Sequence, residues 1–226
     1  MKNVVAAIAC FLCAGGWFAQ AGEIQGRIEI IRGLTKKRVS LPSYQFRGAS
    51  MSTKQPSGAV DELSHVAVYL EGRLSPGRAT TAELKQRSRR FEPNILVVPA
   101  GSTVSFPNGD PMFHNVFSLS KAKQFDLGYY PIGETRTIRF DKAGVVQVHC
   151  HLHPNMKATI LVVPSAFYAR SGADGTFKIS DVPAGDYQIV AWHKSAGLLR
   201  KSIHVPENGL VETDFVIPAM QQQGDR

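Results

Sequence analysis

Cysteine is nearly missing from this chain of 226 residues: there are three, and two of them, Cys10 and Cys13, lie inside an apolar stretch near the start. A disulfide-stapled scaffold is therefore excluded. Also missing is any sustained 3.6-residue apolar period, which excludes a helical bundle. Beyond the first 21 residues no run approaches the roughly 20 apolar residues that a membrane-spanning helix needs. Net charge is +8, but the basic run Lys85, Arg87, Arg89, Arg90 has no interleaved aromatics, so nucleic acid is not expected as a partner. That run reads as a solvated face guarding a sheet edge. No acid, base or nucleophile set into a cleft is legible, and the chain does not read as an enzyme.

What is present is a composition that is 43% hydrophobic and 19% charged, with short β-branched and aromatic runs between 20 Gly and 13 Pro. This excludes a disordered tail and predicts an all-β protein of one large or two small domains. At the N-terminus, Met1 and Lys2 precede an apolar stretch over 4–19, and Ala19-Gln20-Ala21 has the small-x-small form of a cleavage site. The segment reads as an export signal over 1–21, removed from a periplasmic protein. Loss of Lys2 takes the 26 basic residues to 25 against 18 acidic ones, and leaves Cys150 as the single thiol. A lone Cys in an oxidising compartment is a buried bystander, an intermolecular crosslink or a thiolate with a task such as metal binding.

A strand is predicted over 25–31, then a long aperiodic loop over 40–61 and a compact strand over 66–70. A boundary is predicted near 78. Strands follow over 95–98, 103–106, 135–140, 145–150 and 158–163, short and evenly spaced as in a sandwich. After Pro164 a second pattern begins. Asp174-Gly175 reads as a hairpin turn and Pro183-Ala184-Gly185 as another turn, with strands over 187–192, 202–205 and 211–217 and a polar tail over 219–226.

Residues 149–156 read His-Cys-His-Leu-His-Pro-Asn-Met, which places Cys150, His153 and Met156 in a Cys-x2-His-x2-Met array where a strand runs into a loop. A thiolate, an imidazole and a thioether suit copper, and a trigonal set of two His and one Cys with a weak axial Met is an electron-transfer geometry. The second His is found 36 residues upstream, His114 in Met112-Phe113-His114-Asn115-Val116. Zinc is the competing metal, and Met156 weighs against it. Alternation turns His149 away from a metal that Cys150 faces. His151 starts the loop and is a weaker candidate, either as a ligand or with His149 in a second metal site. His65, His193 and His204 have no ligand-spaced neighbours.

These residues carry a resemblance. Phe91-Glu92-Pro93, Leu96 through Gly101, Val104 through Asn108, Met112 through Val116 and Cys150 through Met156 together resemble the cupredoxins, closest to amicyanin and its plastocyanin and pseudoazurin relatives. The resemblance spans 79–164. It implies a Greek-key sandwich with one type 1 copper site held by His114, Cys150, His153 and Met156. It also implies that Asn115 holds the ligand loop and gives a backbone hydrogen bond toward the Cys150 sulfur. His151-Leu152 departs from the small polar residue and Pro common in such carriers. Gly172 through Phe177, Val182 through Tyr187 and Ala191-Trp192-His193 resemble a second, smaller sandwich of the carboxypeptidase-regulatory or transthyretin-like type. Its opening strands are expected in 22–72, ahead of the copper domain, and its remainder in 165–218. The layout is similar to exported proteins labelled methylamine utilisation proteins. The function implied is electron transfer, with electrons passing at the His153 edge to a redox partner that the basic balance would favour as acidic. Copper delivery without a redox role is the alternative.

Overall fold

A computed structural model describes residues 21–31, 62–75 and 77–217. The expected signal segment apart from Ala21, the whole of the aperiodic loop over 40–61, and the polar tail lie outside the described residues. Within them the regular structure is β, apart from one short 3-10 turn at Leu63–His65, and the fold is an all-β sandwich architecture. No helix among the described residues is long and apolar enough to cross a membrane.

Two strands precede the middle segment, β1 (Ala21–Ile30) and β2 (Val66–Glu71). The middle segment holds β3 (Thr81–Glu83), β4 (Lys85–Arg87), β5 (Arg90–Glu92), β6 (Ile95–Pro99), β7 (Ser102–Pro107), β8 (His114–Ser120), β9 (Lys123–Tyr130), β10 (Thr135–Phe140), β11 (Gly144–His149) and β12 (Lys157–Val163). After it come β13 (Tyr168–Arg170), β14 (Thr176–Pro183), β15 (Gly185–His193), β16 (Gly197–Val205), β17 (Leu210–Glu212) and β18 (Phe215–Ile217).

The middle strands make one sheet in the order β6-β12-β11-β8-β9, a second in the order β10-β7-β3, and the ribbon β4-β5. Alternation in β7 sends Val104 and Phe106 inward, where they meet Val116, Tyr130, Phe140, Val148 and Ile160 in one core. The flanking strands make two further sheets, β14-β1-β17 with β18 also on β1, and β13-β2-β15-β16. β1 pairs with β14, β17 and β18, and β2 with β13 and β15, so the chain leaves these sheets after β2 and re-enters them at β13. Their core gathers Ile24, Ile28, Val68, Leu70, Phe177, Ile189 and Phe215.

A third core joins the two assemblies. Ala67 and Tyr69 of β2 and Val190 and Trp192 of β15 pack on Ile95 and Val97 of β6 and Leu161 and Val163 of β12. Each of these four strands is therefore buried on both faces, which explains why Val66-Ala67-Val68-Tyr69-Leu70 and Ile160-Leu161-Val162-Val163 are unbroken apolar runs rather than alternating ones. Burial of a large apolar side chain is worth about 1.5–3 kcal/mol, so this junction is a stable part of the molecule.

Two differences from the sequence expectation bear on the site. β8 and β9 are not among the strands expected, because a register shift between Asn115 and Phe117 leaves His114, Asn115 and Val116 buried in succession and breaks the alternation. Asp174-Gly175 is a turn with Gly175 at φ +83°, but it joins β13 of one sheet to β14 of the other instead of closing a hairpin.

Candidate metal centre

The loop from Asn108 to Phe113 delivers His114 to the head of β8. Asn108 is buried and shapes that loop with three hydrogen bonds: its Nδ2 donates to the carbonyls of Met112 (2.8 Å) and Tyr130 (3.0 Å), and its Oδ1 accepts from Asp110 N–H (2.9 Å). Asp110 in turn lies against the tip of the β4-β5 ribbon. Its carboxylate accepts the N–H groups of Ser88 (2.6 Å) and Arg89 (2.8 Å), the two residues of the tip, which stand at φ 52° and 56°. These are left-handed backbone conformations that non-glycine residues adopt at a cost, and the shared carboxylate holds them there.

The same carboxylate lies 2.8 Å from His114 Nε2. That pattern assigns the ring proton to Nε2 and leaves the Nδ1 lone pair free to ligate. Burial opposes the charge on Asp110, yet the Arg89 and Ser88 N–H groups and the His114 ring outweigh it and hold the carboxyl below its usual range.

Cys150 follows the last residue of β11, and the chain from His151 to Met156 connects to β12. Pro154 is the second residue of a turn closed by the Met156 N–H donating to the His153 carbonyl (2.8 Å). Cys150 and Met156 both lie in the core of the middle segment, 4% and 1% exposed, and His114 is fully buried. His153 is the partly exposed member. Partial burial, then the neighbouring His114 ring and the Arg89 cation, push the His153 imidazole below its ordinary range, so it is held in the neutral form that binds metal.

His114 Nδ1, His153 Nδ1 and Cys150 Sγ form a triangle with sides of 3.1, 3.9 and 3.8 Å. A point equidistant from its corners is about 2.1 Å from each, within the range of about 2.0–2.3 Å for bonds from a metal ion to nitrogen and sulfur. Two imidazole lone pairs and one thiol, converging inside a core, fit a metal ion. This is the one cluster of His, Cys and acidic side chains with metal-binding geometry among the described residues.

Asn115 is buried beside the cluster. Its Nδ2 donates to Asp126 Oδ1 (2.6 Å) and the Gly128 carbonyl (3.3 Å), while its Oδ1 accepts from His151 N–H at 3.4 Å. Asp126 also caps Gly128 N–H (2.8 Å), with Gly128 at φ +67° where β9 takes up its extra residue. The bulge, Asp126, Asn115 and the ligand loop are thus one connected unit. A hydrogen bond from Asn115 N–H to the Cys150 sulfur is not formed among the described residues.

His149 and His151, the other two histidines of the motif, both pack on Phe117. The His151 ring is stacked at 3.8 Å and 5°, and the His149 ring is tilted at 5.7 Å. His151 also faces Asp126 Oδ2 at 3.6 Å. Both rings point away from the triangle. His193 is buried in the flanking sheets, His204 pairs with Asp186, and His65 lies by Asn94. Asp110 is the site residue that sequence reasoning missed. Its signal is a carboxylate four positions before a ligand-type histidine, within a segment that reads as a turn.

No family profile matches this chain, and no curated protein matches it. Among solved structures, the purple cupredoxin from Nitrosopumilus maritimus aligns over 36% of this chain and 99% of its own at 23% identity and a TM-score of 0.34. The copper-containing nitrite reductase from Thermus scotoductus SA-01 aligns over 40% of this chain but only 23% of its own at 28% identity and a TM-score of 0.34. A reduced amicyanin variant aligns over 42% of this chain and 98% of its own at 21% identity and a TM-score of 0.35. The structural neighbours of the chain are thus cupredoxins, matched over less than half of it.

Proposed function

We propose that this chain is an exported type 1 copper protein that carries single electrons, in which His114, Cys150, His153 and Met156 would hold the metal. The observation that carries the reading is the triangle of two Nδ1 atoms and one Sγ at the ends of β8 and β11 of one sheet, with the outer nitrogen of His114 fixed by Asp110. Copper bound there supplies a one-electron couple between Cu(I) and Cu(II).

The chain's own residues do the rest. Asp110 keeps the His114 proton on Nε2, and Asn115 ties the ligand loop to the β9 bulge, so the donor atoms keep their places through a change of charge. Cys150 and His114, both buried, exclude water from the thiolate, and His153 is the edge through which electrons enter and leave. On this reading residues 79–164 are a cupredoxin unit set into a second sandwich built from both flanks, and the protein works in the periplasm as a carrier and not as a catalyst.

Copper delivery is the competing use of the same ligands, and a redox cycle separates the two. The protein is loaded with one equivalent of copper, then taken repeatedly through ascorbate and hexacyanoferrate(III), with the metal content measured after desalting at each stage. A carrier retains one copper per chain throughout. Loss of the metal on reduction would overturn the carrier reading and leave delivery.

A further inference from the structure

Beside His153 the β4-β5 ribbon and the ligand loop enclose a cleft of about 350 Å³, lined by Arg89, Arg90, Leu152, His153 and Pro154 among others. It adjoins a second cleft of about 370 Å³ that shares Arg90 and Asn155 and extends to Lys157. The combined groove carries three cations, Arg89, Arg90 and Lys157, against one carboxylate, Glu92. Three arginine head groups elsewhere are engaged, Arg136 with Glu134, Arg139 with Asp141 and Arg200 with Glu71, and those of Arg73, Arg78 and Arg87 are unpaired among the described residues but do not line this groove. The side chains of Arg89, Arg90 and Lys157 have no ion pair or hydrogen bond among the described residues. Three like charges left unpaired in one groove repel one another, and that repulsion is relieved when an anionic surface enters.

Two further features set this groove apart from an ordinary solvated face. First, its position at the exposed edge of a ligand histidine is fixed, because the Ser88-Arg89 tip is pinned in left-handed backbone by Asp110, which also holds His114. Second, it has no exposed aromatic platform for stacking bases: the one aromatic residue lining it, Phe91, is 3% exposed. A carboxylate-rich protein surface matches this chemistry, whereas a single-stranded nucleic acid lacks the stacking partner it uses.

We propose that the groove formed by Arg89, Arg90 and Lys157 docks a carboxylate cluster of a redox partner protein and so seats that partner against His153. The inference rests on the electron-carrier reading for the word redox, but the docking itself is independent of copper. A partner seated on this face meets His153, the partly exposed corner of the triangle. A partner arriving elsewhere on the basic surface gains attraction without a route.

The test uses the full chain without metal and a fluorescent hexaglutamate as the probe, with binding read by anisotropy at low and at 150 mM salt. The expected result is saturable binding that weakens with salt and falls at least tenfold in Arg89→Gln/Arg90→Gln. The same charge loss at the opposite end of the sandwich, Lys121→Gln/Lys142→Gln, is expected to change it less than twofold. Equal loss in both double variants means a diffuse charge effect and overturns the groove, as does tighter binding of an oligothymidine of matched length or no binding at all. A second readout uses the copper-loaded protein and hexacyanoferrate(II) as electron donor. The bimolecular rate falls in the groove variant while the rate with cationic hexaammineruthenium(II) does not. If the copper is not reducible, the carrier reading fails while the peptide titration still decides the groove.

Discussion

Replacing Asp110 by alanine tests whether one carboxylate organises both the metal centre and the ribbon beside it. The change removes acceptors for Ser88 N–H at 2.6 Å, Arg89 N–H at 2.8 Å and His114 Nε2 at 2.8 Å. Hydrogen bonds to a charged group are worth about 1.5–3 kcal/mol each, and a buried donor left unpaired costs about 1–3 kcal/mol. Ser88 and Arg89 are exposed and can turn their N–H groups to water, whereas His114 is fully buried and its ring N–H has no other partner here. The expected destabilisation of the metal-free protein is therefore about 2–4 kcal/mol, dominated by the His114 contact, since the exposed tip can turn to water and relax its left-handed backbone. Urea unfolding followed by circular dichroism reads this directly. With the His114 proton no longer held on Nε2, copper affinity measured by competition with a chelator should fall about 10–100-fold. Asp110→Asn keeps the shape and loses the charge, so it should fall between the two. Unchanged stability in Asp110→Ala, within about 0.5 kcal/mol, together with unchanged copper affinity, would refute the reasoning.

Gly26→Ala should destabilise the flanking sheets severely, since a Cβ there would collide with the Thr213 carbonyl oxygen, a backbone atom that cannot step aside; a lowered urea midpoint with copper stoichiometry intact in the folded fraction is the expected result. Phe117→Ala removes the ring stacked on His151 and should cost about 1 kcal/mol or more, read as a lower melting temperature of the metal-free protein. Acid should weaken the fold through His193. Burial holds its imidazole below the ordinary range, and its Nδ1 accepts the N–H groups of Ser195 and Ala196. The unfolded chain binds the proton first, so stability is complete above the unfolded imidazole value near 6.5 and is lost as pH falls below it. The drop in urea midpoint of the metal-free protein between pH 7 and pH 5 should be smaller in His193→Gln. An equal drop in both proteins would remove His193 from the account.

The candidate ligands are legible because their chemistry is written as spacing: Cys150, His153 and Met156 lie within one loop, and His114 follows a recognisable strand and turn. The metal cluster that the structure brings together, His114, Cys150 and His153, is drawn from that set. Asp110 was not legible for the opposite reason. A carboxylate in an Asn-Gly-Asp segment has the composition of any turn, and only the folded ribbon shows that it serves Ser88, Arg89 and His114 at once. β8 and β9 escaped notice because buried Asn115 and the Gly128 bulge disrupt the alternation that marks a half-buried strand. The basic run reads as a solvated edge, and its residues are exposed in the ribbon. What the sequence does not carry is that the ribbon's tip is tied through Asp110 to His114. The doubly buried strands are recognisable as strands from their apolar runs, but which core each face enters depends on pairings between residues distant in sequence, such as Ala67 with Trp192 and Ile95 with Thr159.

The most direct test is to add one equivalent of Cu(II) to the purified protein and to its Cys150→Ser variant and to record visible absorption and electron paramagnetic resonance. The account predicts an intense thiolate-to-copper band in the wild type that bleaches on reduction, returns on oxidation and is absent from the variant. The same weak spectrum in both proteins, with zinc held as tightly as copper, would contradict it.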